Sequence, residues 1–333
     1  MKRMFMLSLI FITALTYLLP VQKTVLPYLT KPDTLVVGED FIYISNFPEV
    51  YLLSPATHEV KKKFGKQGEG PEEFKLFIRF HLDKDQIIIN SSGKMSYYTK
   101  QGEFISEKKL PGNNVFKPVG KNYAGYRIFD NNKTKESLVA IDLFNKKFKK
   151  KKVLHTTPFK FQFGRQKIHP VRNQGNFRIF DNKIIVNGNN GKIHIFSSEG
   201  KKIRTIRPDL EKIKVSKSDK LRYREYYKSY PEYKQYYEAA SKWFTFPQYF
   251  PPIHETYISD NRIYAETYEK KEEKRRFIIL DFEGKRLGSV WLKVTDINPL
   301  EKHIYTFYKD KFYQLVENEA EEQWELHIEK LEY

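Results

Sequence analysis

The main pattern along the chain is a short phrase of alternating polar and apolar character that recurs about six times. Each copy has a polar turn, a run rich in β-branched and aromatic residues, a second such run and usually a glycine turn. The clearest copy starts at Asp181-Asn182, continues through residues 183–187 and 193–196, and ends near Gly200. Copies spaced about 40 to 50 residues apart are typical of four-stranded propeller blades. The pattern therefore predicts an all-β, six-bladed β-propeller.

The copies align on their second strands, each of which follows a turn built on Asp, Asn or Lys. Asp and Asn tolerate left-handed backbone angles, so they suit tight hairpins. The predicted second strands span residues 41–46, 86–90, 125–130, 183–187, 262–266 and 311–316. The third copy is the least regular, so the completeness of its blade stays open at this stage.

The two ends of the chain are predicted to share one blade. The last copy has a predicted third strand at residues 323–328 but no fourth, because the sequence stops at Tyr333. Residues 23–30 precede the first copy and have no other place in the repeat. We expect this segment to pair with the last blade and close the ring, since closure leaves no free strand edge. The alternative is a flexible linker.

An insertion at about residues 209–247 interrupts the repeat between blades four and five. Its apolar and aromatic residues recur at helical spacing, which predicts two or three short helices. Ser218 is the expected N-cap of one helix, and Pro231 suits the first turn of another. Three of its tyrosines either pack on the propeller or contact a protein or sugar partner: Tyr226, Tyr230 and Tyr237.

Residues 64–74 carry a glycine-rich turn that ends in Gly70-Pro71 and Phe74. With the helical insertion and the proline-rich return at residues 246–252, this motif resembles exported bacterial six-bladed β-propeller proteins related to the NHL-repeat and TolB-like propellers. The resemblance covers nearly the whole chain after residue 22. It implies the fold, but most such proteins have no assigned activity. A strand is expected after the glycine-rich turn, which favours a structural turn over a phosphate-binding loop.

Composition narrows the function classes. The chain has no cysteine, which excludes disulfides, thiolate nucleophiles and the lipid-anchoring Cys of lipoprotein relatives. Lys2 and Arg3 precede an apolar run at residues 4–19, so residues 1–21 are interpreted as a signal peptide or an uncleaved signal anchor. We therefore expect export to the periplasm or cell envelope, with membrane contact if the segment is retained. Residues 22–333 form the propeller in this interpretation.

The formal net charge of +18 favours anionic partners. The lysine runs at residues 61–63, 146–152 and 201–204 lie on or beside predicted fourth strands. On these outer edges they either guard against aggregation or attract an anionic envelope surface. Nucleic acid is not expected as a partner of an exported chain.

One face of the propeller is predicted to carry the candidate site, because the longer loops and the helical insertion all project there. The candidate ligand-binding residues near the axis of that face are Asn46, Asn90, Asp130, Arg172, Asn187, His254, Glu266 and His303. Glu255 follows His254, but neighbours on a strand point to opposite faces, which argues against an acid/base pair. No catalytic motif is visible.

Three functions remain open at this point. The favoured one is an exported, non-enzymatic binding or interaction protein that binds a protein or carbohydrate partner and needs no cofactor. A calcium-dependent lactonase-like or lyase-like hydrolase is the second, because Asn and carboxylate oxygens at strand ends suit a hard cation. A structural component of a cell-envelope complex is the third.

Overall fold

The fold is a ring of six four-stranded antiparallel sheets. The computed structural model describes residues 21–83, 85–112, 114–162, 167–171, 175–188, 190–294 and 304–333. Six blades agree with the number of repeats in the sequence, and blade three has all four of its strands.

The first half of the ring starts with an N-terminal strand, β1 (Gln22–Leu26). Blade one consists of β2 (Pro32–Val37), β3 (Ile42–Asn46), β4 (Glu49–Leu53) and β5 (Val60–Phe64). A short parallel pair follows, β6 (Lys66–Gln67) and β7 (Glu73–Phe74). Blade two consists of β8 (Arg79–Leu82), β9 (Gln86–Ser91), β10 (Lys94–Thr99) and β11 (Phe104–Lys109). Blade three consists of β12 (Phe116–Val119), β13 (Asn122–Asn131), β14 (Glu136–Phe144) and β15 (Lys150–Pro158).

The second half begins with a two-stranded pair, β16 (Phe161–Gln162) and β17 (Lys167–Ile168). Blade four consists of β18 (Asn176–Phe180), β19 (Lys183–Asn187), β20 (Ile193–Ser197) and β21 (Lys202–Ile206). The insertion holds α1 (Lys217–Ser229), α2 (Pro231–Lys234), α3 (Tyr237–Ala240) and a 3₁₀ turn (Ser241–Trp243). Blade five consists of β22 (Glu255–Ser259), β23 (Arg262–Lys271), β24 (Lys274–Leu280) and β25 (Arg286–Lys293). Blade six contains β26 (Tyr305–Tyr308), β27 (Lys311–Asn318) and β28 (Gln323–Lys330).

The N-terminal strand is the fourth strand of blade six. β1 pairs antiparallel with β28, from Gln22 opposite Ile328 to Leu26 opposite Trp324. Leu26 is fully buried in a cluster with Leu35, Ile42 and other residues of blades one and six. The ring is therefore closed by hydrogen bonds between the two ends of the chain.

The core is divided among the interfaces between neighbouring blades. Six apolar clusters lie among the described residues, and each joins two adjacent sheets around the ring. Both faces of the middle strands are covered, so these strands are almost continuously hydrophobic; Ile87, Ile88 and Ile89 are all fully buried. Consecutive apolar residues in the second strands follow from this double burial.

The hairpin turns have the backbone angles that their residues favour. Asp181 and Asn182 both have positive φ, at 46° and 55°, as do Asp260 and Asn261 at 50° and 56°. Two consecutive left-handed residues match the twist of a two-residue hairpin. Gly200, in the turn to the fourth strand, has φ 77°. The polar turns of the repeat are therefore structural.

The start of α1 differs from the sequence prediction. Its N-cap is Ser216, not Ser218, because Ser216 and Asp219 form a reciprocal capping box. The Asp219 amide donates to Ser216 Oγ at 3.0 Å, and the Ser216 amide donates to Asp219 Oδ2 at 2.9 Å. Ser218 therefore lies inside the first turn. No helix among the described residues is both long and apolar enough to cross a bilayer, and residues 1–20 lie outside the described residues.

Candidate functional site

One position recurs in all six blades on the face predicted to hold the site. It is the residue of the second strand that pairs with the first residue of the first strand. From blade one to blade six, this position holds Asn46, Asn90, Gly125, Asn187, Glu266 and Gln314. We call this side, which also carries the interblade loops, the loop face.

The asparagine side chains at the recurrent position of blades one and two, Asn46 and Asn90, have structural roles. Asn46 Oδ1 accepts from the backbone amides of Thr30 at 2.9 Å and Lys31 at 2.8 Å. Asn90 makes two hydrogen bonds with the backbone of Phe116, both 2.9 Å long. Asn90 Nδ2 donates to the Phe116 carbonyl, and the Phe116 backbone N–H donates to Asn90 Oδ1. Both side chains are buried. They hold the start of a first strand in place, which explains their residue type without a ligand.

Of three further predicted residues, one lies away from the recurrent position and two lie outside the described residues. Asp130 lies five residues beyond the recurrent position, in an exposed extension of β13, where its Oδ1 accepts from Ser137 Oγ at 2.7 Å. The prediction that it lies with the others is wrong because β13 begins at Asn122, three residues earlier than expected. Arg172 and His303 lie outside the described residues.

Blade five carries a carboxylate at the recurrent position, and it binds side chains. Glu266 is fully buried. Its Oε2 lies 2.8 Å from His254 Nδ1 and accepts from the Tyr305 hydroxyl at 2.6 Å. Its Oε1 accepts from Arg275 Nη1 at 2.8 Å. Glu266 therefore connects the strand entry of blade five, its third strand and the first strand of blade six.

The electrostatics of this network favour the ionised carboxylate. Burial alone would raise the pKa of Glu266, but His254, Arg275 and Tyr305 outweigh it and lower that pKa to about 2. Burial and the adjacent carboxylate raise the pKa of Tyr305 well above its usual value. Glu266 is thus a fixed negative charge at neutral pH that can orient the His254 imidazole.

His254 lies at a cavity of about 390 Å³ between the helical insertion and blade five. We call this cavity the insertion cleft. Its aromatic lining consists of Tyr223, Phe250, Tyr268 and Trp291. The rings of Phe250 and Tyr268 stack 4.3 Å apart at 17°, and His254 meets Tyr268 edge-on at 5.0 Å. The volume is in the range usual for small-molecule sites.

Backbone hydrogen bonds join the two ends of the insertion to each other and to β17, and the His254 amide then donates to the Glu266 carbonyl of blade five at 2.8 Å. The Val215 amide donates to the Gln248 carbonyl at 3.0 Å, and the Phe250 amide donates to Ile213 at 2.9 Å. Thr245 N–H also reaches the Ile168 carbonyl at 2.8 Å. The first turns of α1 are thereby held at the cleft, which they line with Asp219, Arg222 and Tyr223.

The cleft contains charges of both signs. Its cations are Arg222, Lys270 and Arg275, and its carboxylates are Asp219 and Glu269. Both carboxylates already accept hydrogen bonds within the protein, Asp219 from Ser216 and Glu269 from Arg276 Nη1 at 2.8 Å. Aromatic faces beside a few polar groups are what a site for an organic ligand requires.

Glu255 belongs to a different network from His254. Arg178 Nη2 donates to Glu255 Oε1 at 2.8 Å, and Arg178 Nε donates to the Thr256 carbonyl at 3.2 Å. Asn176 also donates to Glu255. These contacts join the first strands of blades four and five. The expectation that the adjacent His254 and Glu255 do not act together agrees with these separate partners.

The three predicted partner-binding tyrosines pack mainly within the insertion. Tyr226 is buried, with its ring 4.9 Å from that of Tyr230. Tyr237 is half-buried and lies edge-on to Phe244 at 6.3 Å. Tyr223, one turn earlier on α1, is the tyrosine of this helix that lines the cleft.

A second cavity, of about 520 Å³, lies where the ring closes. It is lined by Pro27, Leu29, Thr30, Trp324 and three glutamates. Among the described residues, no hydrogen-bonded side-chain network like that around Glu266 lines it, so the insertion cleft is the stronger candidate. Within the described part of the chain, His, Asp and Glu side chains do not gather in threes suited to a metal ion.

Sequence reasoning identified His254 and Glu266 and placed the insertion on their face, but it missed most of the cleft. The missed residues are Ile213, Asp219, Arg222, Tyr223, Phe250, Tyr268, Glu269, Lys270, Arg275 and Trp291. The repeat offered one usable signal, because Glu266 is the one carboxylate at a position held by Asn in three other blades.

Comparison with known proteins supports the fold. Residues 29–176 match the model of a family described as a 6-bladed beta-propeller. With the six sheets described above, the chain is a six-bladed β-propeller protein. No curated protein matched the sequence.

Solved structures give distant likenesses. A luciferin-regenerating enzyme is 9% identical with a TM-score of 0.44, over 94% of this chain and 96% of that one. The AfRom2 CNH domain is 9% identical with a TM-score of 0.43, over 94% and 99%. BamB from Moraxella catarrhalis is 8% identical with a TM-score of 0.33, over 89% and 71%. Likenesses this distant do not bear on function.

Proposed function

We propose that this propeller is an exported, non-enzymatic binding protein whose ligand lies in the insertion cleft. The observation that carries the proposal is the cleft itself, about 390 Å³ lined by four aromatic rings beside charged groups. Behind it, Glu266 fixes His254 and Arg275 in place. A site held by a rigid buried network loses little conformational freedom when a ligand binds.

The ionised state of Glu266 argues against a proton-transfer role for this carboxyl itself. A carboxyl whose pKa is about 2, held by three donors, does not exchange protons near neutral pH. Its role in this proposal is to position His254 and Arg275. The interpretation of residues 1–21 as an export segment supports a site outside the cytoplasm. The lysine runs on β5, β15 and β21 would there contact an anionic envelope surface.

The test is a thermal-shift screen of the full-length chain against panels of saccharides and short peptides. A true cleft ligand raises the melting temperature of the wild type and of Tyr249→Ala, whose ring lies outside the cleft lining. It should not raise that of Phe250→Ala, which removes half of the stacked aromatic pair. If hits persist in Phe250→Ala, or if neither panel gives a hit, the cleft is not the binding site for these ligand classes.

Export has its own test. Cells expressing the full-length chain are fractionated, and the protein is expected in the periplasmic or membrane fraction. A variant lacking residues 4–19 should stay in the cytoplasm. Full-length protein found only in the cytoplasm would contradict the export proposal and leave the cleft unaffected.

A hydrolase is the second candidate, favoured by the 2.8 Å contact between His254 Nδ1 and Glu266. A carboxylate that orients an imidazole is a common arrangement for a general base. The test is hydrolysis of aryl esters and lactones, with and without added calcium. A catalytic role predicts a rate loss of about 10² or more in His254→Gln. Equal rates in His254→Gln and wild type would remove this candidate.

A further inference from the structure

We infer that the ligand of the insertion cleft is a saccharide carrying a carboxylate, a uronic acid unit, an inference that rests on the proposed function. The first reason is the shape of the lining. The Phe250 and Tyr268 rings stack nearly parallel, at 17°, and Trp291 also lines the cleft. The two rings cover one face of each other, and the rest of this aromatic lining suits the flat apolar side of a sugar ring.

The second reason is the mixture of acceptors and donors. Asp219 and Glu269 can accept hydrogen bonds from hydroxyl groups, since each carboxylate has room for several. Arg222, Lys270 and Arg275 only donate. A polyhydroxylated ring satisfies both kinds of group, whereas a purely apolar ligand would leave these charges desolvated.

The third reason is the charge balance of the cleft and its supporting residues. The cleft lining carries three cations, Arg222, Lys270 and Arg275, and two carboxylates, Asp219 and Glu269. Both carboxylates accept a hydrogen bond from within the protein. The chain as a whole has a formal net charge of +18. These charges favour an anionic ligand over a neutral or cationic one of the same shape.

Arg222 and Lys270 are the groups assigned to the ligand carboxylate. Arg222 is half-buried on α1, and Lys270 is exposed near the end of β23, so the two approach the cleft from the insertion and from blade five. Arg275 is already bound to Glu266 and supports the site from behind.

The experiment is isothermal titration calorimetry of the full-length chain with a tetra-galacturonate and with its fully methyl-esterified form. These probes share ring geometry and differ in charge. The acid is expected to bind, and the ester about tenfold or more weakly, because hydrogen bonds to a charged group are lost. Arg222→Gln and Lys270→Gln should each weaken acid binding several-fold and leave ester binding unchanged.

Arg204→Gln is the matched control, because Arg204 is a cation on the outer strand β21, away from the cleft. If Arg204→Gln weakens binding as much as Arg222→Gln, the acid is held by general surface charge and the inference fails. Equal binding of acid and ester would overturn the charge assignment but keep the cleft as a saccharide site. If neither probe binds, the uronate class is wrong, and the screen above decides on the proposed function independently.

Discussion

Blades two and five hold different residues at the same position of the repeat. In blade two, Asn90 bonds twice to the backbone of Phe116. In blade five, Glu266 bonds to the side chains of His254, Arg275 and Tyr305. The amide organises the fold locally, whereas the carboxylate holds together groups that line a cleft. A change from Asn to Glu at one repeat position thus accompanies the change from a structural blade to the blade that carries the candidate site.

The largest expected effect is a difference in unfolding free energy between substitutions at Glu266 and at Asn90. Glu266→Ala removes the carboxylate to which the buried Arg275, 5% exposed, donates, so it should cost about 3 to 5 kcal/mol of unfolding free energy. Asn90→Ala leaves the Phe116 backbone groups unpaired and should cost about 1 to 3 kcal/mol. Urea denaturation measures both. Glu59→Ala, on an exposed ion pair, is the control and should show no measurable loss. Equal costs at the two positions would contradict the distinction.

Acid is expected to lower the stability of the protein by protonating Glu266 in blade five. The folded pKa of Glu266, about 2, lies below its ordinary value of 4.5, so the unfolded state binds more protons between these pH values. The stabilisation is complete above pH 4.5 and is lost as pH falls toward 2, a total of about 3 kcal/mol. Denaturation at a series of pH values should show a shallower acid dependence in Glu266→Gln. An unchanged slope would mean that other carboxyls dominate.

A smaller effect tests the link between blades five and six. Tyr305→Phe removes only the hydroxyl that donates to Glu266 at 2.6 Å. We expect a loss of about 2 kcal/mol, the usual scale for a hydrogen bond to a charged group. Tyr308→Phe, on the same strand, is the matched control because Tyr308 is half-buried and remote from Glu266. If both variants lose the same stability, the hydroxyl of Tyr305 is not a specific contact.

The smallest expected loss of stability is that of Asn187→Ala in blade four. Asn187 is fully buried, yet its Oδ1 and Nδ2 make no hydrogen bond within the described part of the chain. Asn187→Ala should therefore cost under about 1 kcal/mol, less than Asn90→Ala, since no partner is left unpaired. Thermal denaturation of both variants under one buffer gives the ranking. A larger loss at Asn187 would show that its amide has a partner in the native protein.

Local sequence explains much of the fold. Paired Asp and Asn residues such as Asp181 and Asn182 adopt consecutive left-handed angles, which determine hairpins wherever they occur. Doubly buried strands such as the one around Ile88 are visible as continuous apolar runs. The ends of helices and strands are predicted less accurately from the sequence, as the N-cap at Ser216 and the position of Asp130 on β13 illustrate. A capping box depends on the pair Ser216 and Asp219, and a strand extension such as that of β13 depends on pairing with β14.

The sequence by itself determined the repeat, the number of blades, the place of the insertion and two residues of the candidate site, His254 and Glu266. These depend on periodicity and turn chemistry, which are local properties. Only the tertiary structure decided that Glu266 binds His254, Arg275 and Tyr305, and that Arg222 and Tyr268 line one cleft. Such contacts join residues that are distant in sequence. They form because the ring places blade five beneath an insertion fixed by its own backbone hydrogen bonds.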